Sequence, residues 1–237
     1  MTGVEVDPRP MSKFFVALVA GLLLAPAAVL AASFEGRVNF TMTSGQGQPQ
    51  HLSYQMKNGR IRVEMPGQTA MGGMIIDPAR RESTVIMTEQ RMYMVTALPD
   101  VVAQAAEAKA GGTKLEKTSR KEKLLGYDAA EYTSTINGVK TILWLAEGLG
   151  SFMALGRGNP LLGGAPTGDD WESALAGKEL FPLRVVTKDN TGKETFRMEA
   201  TAIEKQTLSD ALFAPPAGFQ KLDMGGMMQG LMPALGK

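Results

Sequence analysis

From residue 34 to residue 95, apolar and polar side chains alternate with a period of two, interrupted by turn-forming pairs. Phe34, Gly36, Val38, Phe40 and Met42 fall on one side; Glu35, Arg37, Asn39, Thr41 and Thr43 fall on the other. That pattern predicts a strand over 34–43 with one dry face. Residues 51–57 repeat it with Leu52, Tyr54 and Met56 inward, which turns His51 outward. Asn58-Gly59 predicts a tight hairpin, because both central residues of a type I′ turn need positive φ, and Asn and Gly reach it at least cost. Beyond it Ile61, Val63 and Met65 alternate with Arg62 and Glu64, and short apolar runs follow at 74–76, 83–87 and 91–95. Asp77-Pro78 and Thr88-Glu89-Gln90 separate those runs. Residues 56–95 therefore predict an antiparallel meander, the stretch around which the rest of the chain is organised.

After residue 95 the period changes. Residues 98–110 are alanine-rich, carry Pro99 and Asp100 at an entry position and stop at Gly111-Gly112, which predicts a helix lying on the sheet. The charged run 115–125 reads as a solvated edge strand, where lysines also discourage edge-to-edge aggregation. Asn137-Gly138 predicts a second hairpin joining 129–136 to 139–146, with Trp144 in the returning strand. Asn190-Thr191-Gly192 joins 183–189 to 195–204 in a third. Residues 147–180 fit no strand: Phe152 and Met153 sit among glycines, and Asp169-Asp170 offer an N-cap to a short helix carrying Trp171, Ala174 and Leu175. A long apolar loop does not float in water, so this segment is expected to fold back over the sheet as a lid. Pro215-Pro216 then halts regular pairing, and residues 224–237 form a Gly- and Met-rich tail. The predicted fold is mainly β with α+β character. It is one domain over 33–223, a strongly curved antiparallel sheet or half-barrel with a few short helices on its concave side.

The leading segment adds a location. Lys13 precedes an uncharged run from 14 to 32, which closes on Val29-Leu30-Ala31, the small-residue pattern of a signal-peptidase site. Residues 1–32 are read as an export signal, with Met11 as the true start. The mature protein is expected in the periplasm or outside the cell, touching membrane only through that signal. With no cysteine at the cleavage site it is not a lipoprotein.

Composition removes several chemistries. A net charge of +1 gives no long-range attraction to nucleic acid. Cysteine is absent and histidine occurs once, at His51, so thiolate sites and His-based triads have no basis. Asp169-Asp170 read as helix caps, and Gly156-Arg157-Gly158 lacks the G-K-[ST] of a phosphate loop. The sequence predicts no catalytic residue, no cofactor and no metal site. Sixteen methionines are the outlier. Met71-x-x-Met74 and Met224-x-x-Met227-Met228 raise copper(I) as a third-ranked alternative. The strand methionines Met56, Met65, Met87, Met92 and Met94 suit better a surface that adapts to irregular apolar partners.

Several short patterns carry a likeness: Lys57-Asn58-Gly59-Arg60-Ile61-Arg62-Val63-Glu64, Ile75-Ile76-Asp77, Gly126-Tyr127-Asp128-Ala129-Ala130-Glu131-Tyr132, Trp144, Phe181-Pro182-Leu183-Arg184-Val185 and Leu212-Phe213-Ala214-Pro215-Pro216-Ala217-Gly218-Phe219. In these the chain resembles an uncharacterised family of exported bacterial proteins known only as a domain of unknown function. That family is similar in architecture to the periplasmic lipoprotein carriers LolA and LolB. The resemblance implies an incomplete barrel whose concave side is plugged by helices and a loop, and whose cavity takes acyl chains in the carriers. No carrier residue transfers to a position here. The leading expectation is a non-enzymatic extracytoplasmic protein that holds a lipid or an acylated protein. Trp144, Phe152, Met153, Trp171, Met65, Met92 and Met94 are its candidate contacts. The alternative is an envelope interaction or structural module with a filled core, meeting a partner protein through the edge at 115–125 or the tail.

Overall fold

The computed structural model describes Gly3 and residues 34–45, 47–67, 72–98, 114–136, 138–153, 171–175 and 177–222, the Ser173 side chain excepted. The export signal expected over 1–32 lies outside them save for Gly3. So do the tail 224–237, the helix expected over 98–110 apart from Leu98, and the central part of the expected lid.

Twelve strands form one sheet. They are β1 (Gly36–Ser44), β2 (Gln50–Lys57), β3 (Arg60–Glu64), β4 (Gly73–Asp77), β5 (Glu82–Met87), β6 (Met92–Ala97), β7 (Glu116–Leu124), β8 (Tyr127–Ile136), β9 (Val139–Ala146), β10 (Phe181–Lys188), β11 (Glu194–Lys205) and β12 (Gln220–Lys221). The spatial order is β12-β6-β5-β4-β3-β2-β1-β11-β10-β9-β8-β7, so the sheet is open, with β12 and β7 at its ends. Two meanders, β1 to β6 and β7 to β11, are joined where β1 pairs antiparallel with β11. The expectation of an antiparallel sheet needs one correction: β12 pairs parallel to β6, which makes the sheet mixed. The chain returns after Pro215-Pro216 instead of leaving the sheet there. Helix is scarce among the described residues: α1 (Trp171–Leu175) and a 3-10 turn over Asp210–Phe213. Among them no helix is long and apolar enough to cross a membrane.

The turns explain why the strands stop where they do. Asn58 and Gly59 both take positive φ, 50° and 74°, the combination that matches strand twist in a two-residue hairpin. Leu125 and Gly126 do the same at 49° and 88° between β7 and β8. Arg81 and Arg91 also sit at positive φ, each closing a four-residue turn through its amide, to Pro78 O and Thr88 O.

Register divides the sheet into two faces. Val38, Phe40 and Met42 lie opposite Tyr54, Leu52 and Gln50 on β2, and Met42 lies opposite Met198 on β11. From Met198 the row continues through Val185 to Leu143 and Tyr132. In the other direction Tyr54 leads to Val63, Met74, Val85 and Met94. This is the apolar face. The other face carries Arg37, Gln55, Arg62, Arg184, Glu199 and Glu131 in the corresponding positions.

Two packing features hold the ends of the first meander. Gly36 has no room for a side chain, since a Cβ there would stand 2.1 Å from the Glu204 carbonyl oxygen. Backbone must move to admit one, so Gly36→Ala is expected to lose about 1–3 kcal/mol of stability in a urea titration. On the polar face residues 206–222 form a strap. Leu208 and Phe213 bury against Ile75 and Ile86, while Arg62 Nη1 donates to Leu212 O at 2.8 Å and Lys57 Nζ to Leu208 O at 2.5 Å. Arg60 pairs with Asp210 and lies over the Phe213 ring at 5.1 Å.

Candidate functional site

The apolar face is filled at its middle. After β9 the chain turns through Gly148 and Gly150, at φ 85° and 78°, and drives Leu149 and Phe152 into the sheet. Phe152 stacks on Tyr54 at 5.3 Å between ring centroids, and Trp171 at the start of α1 stacks on Phe152 at 5.8 Å. Phe181 meets Tyr54 and Phe152 edge-on at 5.5 and 5.6 Å and stacks against Phe40 at 6.0 Å. Edge-to-face and offset contacts add to the burial of these rings. Leu175 on α1 is also buried, and Lys178 donates to Ala174 O at the end of that helix. Phe152 is 2% exposed and Trp171 1% exposed, so both ends of the expected lid that the structure describes are packed as core.

Tyr54 fixes the plug by a polar contact as well. Its hydroxyl accepts a hydrogen bond from the Met153 backbone amide at 3.1 Å. Burial pushes the phenol well above its ordinary value; the Met153 amide opposes this and the Glu172 carboxylate adds to it. A raised phenol favours the folded state only while it stays protonated. Its stabilisation is therefore complete below about pH 10, where a free tyrosine ionises, and is lost as pH rises beyond that. The urea midpoint is expected to fall above about pH 10 and to fall less in Tyr54→Phe. Trp171 Nε1 is buried with no hydrogen-bond partner among the described residues.

Methionines line the same face on both sides of the plug. Met42, Met56, Met65, Met74 and Met198 are buried. At the β5–β6 end Met87, Met92 and Met94 share that face by register and remain half-buried. Met65, Phe152 and Trp171 belong to one buried apolar cluster with half-buried Met153 packed against it, and Met92 and Met94 share that face by register.

Trp144 does not join them. Its register partners are Arg184 and Glu131, which puts the indole on the polar face. There the Arg120 guanidinium covers it at 5.4 Å and pairs with Glu131 at 2.8 Å. The expectation that Trp144 is a contact of the apolar face is therefore corrected. β9 is buried on both faces, so its run Ile142-Leu143-Trp144-Leu145 carries no alternation from which to read direction. Arg184 reaches over the same face to Glu199 at 2.8 Å and Glu122 at 2.9 Å. Although burial pulls the guanidinium's pKa down, these two carboxylates more than offset it and hold the pKa above its ordinary value.

The sequence reading missed the rings that hold the plug: Phe181, Phe40 and, as a stacking partner, Tyr54. The inward parity of Tyr54 and Phe40 was the available signal. Among the described residues no cluster of His, Cys, Asp or Glu is arranged to hold a metal ion. Met71, Met224, Met227 and Met228 lie outside them. A polar cavity of about 140 Å³ lies at the start of β7, lined by Lys114, Glu116, Thr133 and Thr135.

Fold and site together define an open-sheet β protein whose apolar face is packed under an aromatic plug. The chain belongs to the DUF4412 family, a domain of unknown function, whose pattern covers residues 34–219. No curated protein matches it in sequence. Among solved structures it is similar to an uncharacterised conserved protein of Thermus thermophilus, at 12% identity and a TM-score of 0.47, covering 79% of this chain and 90% of that one. It is similar to the MucA/MucB complex of Pseudomonas aeruginosa at 12% identity and a TM-score of 0.39, over 78% of this chain and 56% of that one. A LolA superfamily protein of Nitrosomonas europaea gives 12% identity and a TM-score of 0.30, over 78% and 91%.

Proposed function

We propose that this is an extracytoplasmic binding protein without chemistry of its own, which holds a lipid or an acylated protein against the methionine-lined end of its sheet. The observation that supports this is the uneven filling of one apolar face. Around Tyr54, Phe152, Trp171 and Phe181 the face is packed with the chain's own rings. At Met87, Met92 and Met94 it stays half-exposed. Unbranched, polarizable thioethers adapt to a chain of irregular shape better than branched side chains do. Each Å² of apolar surface dried there contributes about 25 cal/mol. The run 14–32 supports the location by its leader-like pattern.

The test is a titration of methyl-13C-methionine protein with a lysolipid below its micelle concentration, followed by NMR. The methyl signals of Met87, Met92 and Met94 are expected to shift while those of Met42 and Met198 stay. Uniform small shifts, or none, contradict the proposal.

A second reading has its own support. The full burial of Phe152 and Trp171 and the Met153–Tyr54 hydrogen bond suit a plug that is permanent core. The protein is then an envelope interaction module. Slow amide exchange at Phe152 and Met153, equal to that of β1, together with unshifted methionine signals, favours it.

A further inference from the structure

We propose that the free edge of β7 is a docking strand for an extended acidic segment of a partner protein. β7 closes one end of the sheet and pairs only with β8, leaving its other side without a strand partner among the described residues. An unpaired edge presents amide and carbonyl groups that another chain can take up. Its charge is one-sided: Lys114, Lys117, Arg120, Lys121 and Lys123 stand against Glu116 and Glu122, in a chain whose net charge is only +1.

Several of these charges already have work. Glu122 is held by Arg184, Arg120 lies on Trp144 and pairs with Glu131, and Lys117 sits over the Tyr132 ring at 5.6 Å. What remains outward is basic. Lys121 has no ion-pair partner among the described residues, and Lys123 meets Asp128 only at 3.9 Å with both side chains largely exposed. Beside them Leu125, 46% exposed, is the one large apolar side chain left in solvent among the described residues.

Register narrows the occupant. Pairing with β8 is interrupted between Lys117 and Lys121, where the Arg120 amide turns to Thr118 Oγ1. A bulge of this kind ends continuous pairing, so the usable edge is the stretch at Lys121–Leu124. A second copy of this chain would bring lysines against lysines, which disfavours self-pairing. An incoming strand with alternating carboxylates places them against Lys121 and Lys123, at the end of β7 beside which Leu125 is exposed. The polar cavity between Lys114, Glu116, Thr133 and Thr135 marks where the track ends beyond the bulge.

The experiment is fluorescence anisotropy on the full mature chain with three labelled ten-residue peptides. One alternates valine and glutamate, one alternates valine and lysine, and one is the glutamate peptide N-methylated at every second amide. The glutamate peptide is expected to bind at least tenfold more tightly than either of the others. Its affinity is expected to fall at least tenfold in Lys121→Glu/Lys123→Glu, whose substitutions are exposed. Equal binding of the N-methylated peptide overturns strand addition, since only charge then acts. Equal binding of the lysine peptide, or an unchanged affinity in the double variant, overturns the acidic partner.

Discussion

Phe152→Ala is expected to lower the unfolding free energy by about 3–5 kcal/mol, the range for emptying a fully buried aromatic site. Phe152 touches Tyr54, Trp171 and Phe181 at once, so its removal leaves three rings without a partner on one side. Those rings stand on three separate elements, β2, α1 and β10, and a site enclosed from several sides relaxes only partly when its centre is emptied. Urea unfolding followed by tryptophan fluorescence measures the loss. A cost below about 1 kcal/mol would mean that the segment bearing Phe152 is only loosely seated, the behaviour of a lid and not of core.

The second large effect is expected on the opposite face. Phe213→Ala removes the ring that fills the groove over Ile75 and Ile86 and that carries the Arg60 guanidinium. A loss of about 3 kcal/mol is expected. It should come with a specific structural consequence, because the strap also delivers β12 to β6. Gln220 N donates to Arg91 O at 2.9 Å and Leu222 N to Tyr93 O at 2.8 Å. Loosening the strap exposes the β6 edge, which lacks the lysines that shield β7. Amide exchange at Gln220 and Leu222 is expected to accelerate before that of β4, and the variant is expected to aggregate at concentrations the parent tolerates. Unchanged exchange at those two amides contradicts the coupling.

Where the sequence alternated cleanly, it could be read. β1 and β3 each bury one face, and β2, though covered on both, still alternates apolar Leu52, Tyr54 and Met56 with polar Ser53 and Gln55, so Phe40, Tyr54 and Val63 declared their direction, and Asn58-Gly59 declared the turn. β4 is buried on both faces and β6 is half-buried along most of its length, so the common face of Met74, Met87, Met92 and Met94 is set by register with their neighbours. Trp144 could not be placed, because β9 is covered on both sides and a two-sided strand has no polar half to give it away. The direction of Arg184 on β10 would have fixed it, but only once β10 was known to be the neighbour. The plug was legible as an apolar loop that had to cover something, yet not as a stack on Tyr54, because the loop's landing point depends on sheet order. β12 was hidden by its length: two residues after a proline pair carry no period. The bulge in β7 was equally silent, since it comes from a register shift against β8 and not from any turn residue.

Native mass spectrometry of the protein, purified without detergent, bears most directly on the binding role. A population carrying the added mass of a lipid or acyl group is expected. Delipidation should remove that mass, and a lysolipid should restore it to the parent but more weakly to a Met87→Ser/Met92→Ser/Met94→Ser variant. A single unliganded mass before and after delipidation, with no lysolipid adduct, would contradict it.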